Sequence, residues 1–129
     1  MLEVILAAIA GYAFGAVWYM SLAKPWVAAS GIQTGEDGRP LNSSDPKPYV
    51  VAFLGAIVVA GMMRHMFSMA GIDGLGKGLI TGFGLGAFVV LPWMINNIMF
   101  SDRSKSLIWL DGGYAVGGCT VIGIVLGLM

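Results

Sequence analysis

The chain has 129 residues, of which 57% are hydrophobic and 11% charged, and its mean hydropathy is +0.83. Soluble domains carry about 25% charged residues, so most of this surface faces something other than water. Seven basic and seven acidic residues cancel to a net charge of zero, which argues against a nucleic-acid partner, and the single cysteine, Cys119, excludes a disulfide framework within one chain.

Hydropathy places the first span over residues 2–22. Its uncharged run, residues 4–23, is 20 residues long and follows Glu3. A cleaved signal has a basic start and an apolar run of about 7–15, so the segment is expected to be a retained span. Trp18 and Tyr19 at its end, with Lys24 and Trp26 just beyond, have the composition of interface anchors.

Residues 30–47 form the one substantial polar loop, with Gly31, Gly35, Gly38, Pro40 and Pro46. Pro48 suits the first turn of the next helix, where its missing N–H has no helical partner anyway. That second span covers residues 49–69, with Arg64 and His65 near its end. Gly71, Asp73, Gly74 and Gly76 predict a tight turn.

The third span covers residues 77–100. Gly74, Gly78, Gly82 and Gly86 recur every fourth residue, and glycines at that spacing share one helix face. In water such a helix is poor, because Gly costs roughly 1 kcal/mol per position relative to Ala. In lipid, the same face lets two backbones approach closely. Gly11 and Gly15 in the first span and Gly113 and Gly117 in the fourth, which covers residues 106–129, extend the pattern. Helix packing is the expected role of all eight; a path for a small solute lined by backbone is the alternative. Gly11–Ala16 and Gly82–Ala87 also resemble one another, each with a Pro-Trp pair following, so a parallel repeat of two helices is conceivable.

Few polar residues enter the spans. Pro92 deprives the Phe88 carbonyl of its usual donor and predicts a kink. Asn96 and Asn97 follow one turn later. Unpaired amides are costly in hydrocarbon, so these face the bundle, a partner or the headgroups. Asp111 lies about one turn inside the fourth span; an intramembrane carboxylate is a candidate functional residue. Arg103, Lys105, Asn96 and Asn97 are its expected partners, and a headgroup-level acid favouring the helix N-terminus is the plainer reading. Asp111, Asn96, Asn97 and Arg64 make up the candidate polar site.

Met62, Met66, Met69 and His65 could suit Cu(I), but methionine is an ordinary packing residue, and no metal or other cofactor is expected. No nucleophile–base set or phosphate-binding motif is visible, so an enzyme is not expected. Asn42-Ser43-Ser44 is a formal glycosylation acceptor, discounted because of where the loop falls. Basic residues set the orientation. Lys24, Arg39, Lys47, Arg103 and Lys105 lie in the first and third connections, against Arg64 and Lys77 at the second. The first and third connections are therefore expected in the cytoplasm, with both termini outside.

The chain resembles a family of small four-span, mainly bacterial, membrane proteins called "domain of unknown function 1761". The resemblance rests on Gly15-Ala-Val-Trp18-Tyr19, Lys24-Pro-Trp26 and Asp111-Gly-Gly113-Tyr114 and extends over the whole chain. The stretch from Tyr19 to Trp26 is shorter than the family's pattern, which leaves that turn open. The resemblance implies the architecture and brings no activity. The expectation is an all-α integral membrane four-helix bundle with glycine-rich packing. It would be a non-enzymatic structural or accessory subunit of the bacterial cytoplasmic membrane that self-associates or joins a larger complex. A small channel or transporter is the alternative.

Overall fold

The computed structural model describes all of residues 1–129. It contains α1 (Leu2–Ser21), α2 (Ala23–Ser30) and α3 (Lys47–Ala70). These are followed by α4 (Leu75–Phe100) and α5 (Ser106–Leu128). All but α2 are long and apolar enough to cross a membrane. The protein is an all-α bundle of four membrane-capable helices. The helix ends differ from the expected span ends by one or two residues. The helix α2 was not foreseen, and it is the larger departure.

Only 22 of 129 residues are buried, and none of those side chains is charged or polar. A water-soluble bundle of this size would hide more apolar surface. Here Ile80, Phe88, Trp93 and Phe100 all point outward, as side chains do when the surroundings are as apolar as the core.

Helix α5 is the centre of the bundle, flanked by α1 on one side and α4 on the other, while α3 packs mainly on α1. The α4–α5 contact is made through backbone. A Cβ at Gly78 would run into the Gly123 carbonyl, one at Gly82 into the Cys119 carbonyl, and one at Gly86 into Val116 Cα at 2.6 Å. The reverse holds too, since a Cβ at Gly123 or Gly127 would meet the carbonyls of Gly78 and Gly74. The glycines of α1 and α5 instead receive side chains. Gly15 accepts the ring of Tyr114, Gly113 that of Trp18, Gly117 that of Phe14, and Gly11 the end of Ile122. The two resembling segments, Gly11–Ala16 and Gly82–Ala87, therefore lie on opposite flanks of α5 and meet it in different ways.

Two core clusters result. One joins Val4, Ala7, Ala8, Ala56, Ala60, Met63, Phe67, Ile122 and Leu126 near the termini. The smaller one joins Ile98, Leu107 and Leu110, with Leu22, Trp26 and Ala29 packed against it.

The α3–α4 and α4–α5 connections are tight. At the end of α3, Gly71 is left-handed with φ 68°, and the Ile72 N–H reaches the Phe67 carbonyl at 3.0 Å. Ile72 also packs against the core cluster that holds Phe67, the apolar contact that accompanies this type of helix end. Gly74 has φ 98°, a conformation that suits glycine, and its N–H donates to the Gly127 carbonyl at 2.8 Å. Gly74 thus starts the α4 stripe from the turn itself.

Within α4 a π-helical turn precedes Pro92. It spans Gly86–Val90, and the Leu91 N–H bonds back to the Gly86 carbonyl. Pro92 has no N–H, and its ring crowds the carbonyl four residues before it. A widened turn ahead of the proline relieves that crowding. About three turns on, α4 closes with Asp102 left-handed at φ 56°. There the Arg103 N–H reaches the Ile98 carbonyl at 3.0 Å.

Candidate functional site

The polar residues of the spans do not gather at one place. Asp111 forms the principal cluster. The Tyr19 hydroxyl donates to its Oδ1 at 2.7 Å, and the Trp26 indole N–H donates to the same oxygen at 3.1 Å. One residue earlier on each helix, the Trp18 indole N–H donates to the Leu110 carbonyl at 2.7 Å. Three helices are thereby tied: α1 through Trp18 and Tyr19, α2 through Trp26, and α5 through Asp111 and Leu110.

The expected partners of Asp111 are thus corrected. No hydrogen bond or ion pair joins it to Arg103, Lys105, Asn96 or Asn97; Tyr19 and Trp26 take their place. The physical reason is α2. It turns back right after α1, at Leu22 with φ −115°, and brings the Trp26 ring over the start of α5. The polar atoms of Trp18, Tyr19 and Trp26, the expected interface anchors, donate to α5.

Aromatic rings close the cluster. Tyr19 meets Trp26 edge-on with centroids 6.1 Å apart and Tyr114 at 5.3 Å. Phe14 stacks on Trp18 at 5.8 Å and on Tyr114 at 6.4 Å. Such pairs add attraction beyond burial and fix ring orientation, which holds the Tyr19 and Trp26 donors on Asp111. The other carboxylate oxygen, Oδ2, accepts no hydrogen bond within the chain, and Asp111 is only partly buried.

The other candidates lie apart. Arg64 pairs with Glu3 at 3.3 Å, at the end of the bundle opposite Asp111. Asn96 and Asn97 are exposed on the outer face of α4, and neither amide makes a hydrogen bond within the chain. Met62 and Met69 also point outward, with relative exposures of 58% and 76%, whereas their neighbour Met63 is buried. His65 is exposed. No three His, Cys, Asp or Glu side chains stand close enough together to hold a metal ion.

The Asp111 carboxylate was legible in the sequence as an acid inside a span. Its partners were not, since Tyr19 and Trp26 lie 92 and 85 residues away. The one available signal was that aromatic side chains with N–H or O–H groups end the first span at the same membrane level.

No curated protein and no solved structure matches the chain. A family model described as "Protein of unknown function (DUF1761)" matches residues 2–127, so the chain belongs to that family.

Proposed function

We propose that this protein is a non-enzymatic structural or accessory subunit of the membrane that self-associates through the outer face of α4. The observation that carries this reading is the pair of amides at Asn96 and Asn97, exposed and without a partner inside the chain. Amides on a membrane helix gain most by bonding across to another helix. Trp93 and Phe100 stand exposed on the same segment and supply area for such a contact. The α4 glycines do not support it, because α5 already occupies their face.

The positive-inside rule places α2 and the α4–α5 turn in the cytoplasm and both termini outside. The family resemblance points to a bacterial cytoplasmic membrane.

Native mass spectrometry in nanodiscs tests the assembly. The wild type is expected as an oligomer, and Asn96→Leu/Asn97→Leu as a monomer of unchanged helicity. A wild type that stays monomeric across lipid dilution, or an oligomer indifferent to both amides, overturns it.

One observation favours transport of a small ion or solute instead: Asp111 Oδ2 is left without an internal partner. Against it, Arg64 lies at the opposite end and is paired with Glu3. An Asp111→Asn variant that assembles normally but abolishes a measured flux would establish the transport reading.

A further inference from the structure

A shallow groove opens between α2 and the start of α5. Pro25, Ala28, Ala29 and the Trp109 ring form its apolar walls, and Ser104 and Ser106 supply hydroxyls. It sits where α4 ends and α5 begins. Three cations flank it in the chain: Lys24 precedes Pro25, while Arg103 and Lys105 bracket Ser104. All three are exposed. The ion pairs of the protein both involve Glu3 at the other end, so these cations have no internal counter-charge. Of the nearby acids, Asp111 is engaged by Tyr19 and Trp26, and Asp102 alone is exposed beside them.

We propose that this groove is a binding site for an anionic phospholipid. Its phosphodiester would lie among Lys24, Arg103, Lys105 and the two serine hydroxyls, with the upper acyl chain along Trp109 and Ala28. Charge complementarity argues for the headgroup. The three cations beside the groove in the chain carry no ion pair of their own, and each Lys or Arg near an anionic membrane surface adds to the attraction. The apolar walls argue for a lipid over a free anion, since a soluble phosphate would leave the exposed Trp109 ring unused. The backbone N–H of Arg103 is bonded to the Ile98 carbonyl at 3.0 Å, which fixes the main chain of the turn that carries Arg103. The site is independent of self-association, which uses the outer face of α4.

The test is lipid retention during delipidation, followed by native mass spectrometry, with the full chain reconstituted in mixed phosphatidylglycerol and phosphatidylcholine. The wild type is expected to retain phosphatidylglycerol about tenfold over phosphatidylcholine, less at high salt. Lys24→Gln/Arg103→Gln/Lys105→Gln is expected to lose the preference. So is Ala28→Trp, which fills the groove from an exposed position and leaves every charge in place. Arg64→Gln, at the far end, is expected to keep it. Equal retention of the two lipids by the wild type overturns the site, as does a preference that survives in either the triple variant or Ala28→Trp. Displacement of the retained lipid by excess inorganic phosphate would show a soluble-anion site instead and also overturn it.

Discussion

The Tyr19 hydroxyl and the Asp111 carboxylate, 92 residues apart in the chain, meet at 2.7 Å and tie the end of the first membrane helix to the start of the last. Both residues lie at the membrane end where α2 folds back, so this bond and the one from Trp26 determine how the short helix sits. A carboxylate held by two neutral donors needs no cation nearby, which explains why Arg103 and Lys105 remain free.

This clasp predicts a measurable coupling. Tyr19→Phe and Asp111→Ala, combined in a double-mutant cycle, are expected to show about 1 kcal/mol of interaction between the two side chains. Asp111→Leu is expected to cost more, about 2–4 kcal/mol, because it leaves the Tyr19 and Trp26 donors unpaired in a partly buried site. Unfolding by steric trapping in bicelles reads both, and additivity within error would show that the bond contributes nothing.

The α4 stripe predicts a sharp contrast between adjacent glycines. Gly82→Ala drives a methyl into the Cys119 carbonyl, whereas Gly84 has nothing within 4 Å of its would-be Cβ. The first change is expected to destabilise by about 1–3 kcal/mol. Gly84→Ala is expected to be neutral or slightly stabilising, since Ala is the better helix former. Equal thermal midpoints for the two variants would mean that α4 and α5 do not touch through their backbones.

Arg64 and Glu3 form the weaker of the two polar ties. Their side chains are 38% and 25% exposed, and exposed pairs contribute about 0–1 kcal/mol. Arg64→Gln is therefore expected to lower stability by less than Tyr19→Phe does. A larger loss would show that this pair is shielded by lipid.

The orientation expected from the basic residues is open to direct measurement. A cysteine at Ser104, in a Cys119→Ala background, should be labelled by a membrane-impermeant maleimide only after the cells are opened. One placed at Asp73 should be labelled in intact cells. The opposite pattern would reverse the topology.

Much of the architecture could be read from the chain directly, because lipid imposes it. A helix must satisfy its own backbone in hydrocarbon, so long uncharged runs become spans, and Gly71 and Gly74 mark a turn where left-handed backbone is needed. The Asp111 site was only half visible. An acid in a span stands out in any composition, but which donors reach it depends on α2, whose few polar residues resemble a loop start. The role of the α4 stripe was open in the same way. Glycine spacing says that something approaches closely, and it does not say whether that is another chain or α5.

The sequence by itself determined the membrane class, the number of spans and the polar residues within them, since each follows from the local cost of placing charge and backbone in lipid. Only the tertiary structure decided what those residues meet. It placed α5 between α1 and α4, spent the Gly78, Gly82 and Gly86 face on the Cys119 and Gly123 carbonyls and Val116, sent Asn96 and Asn97 outward, and closed Tyr19 and Trp26 onto Asp111. The reason is physical: in lipid, helices associate by shape and by hydrogen bonds between distant residues, and neither is written in the hydropathy of any one segment.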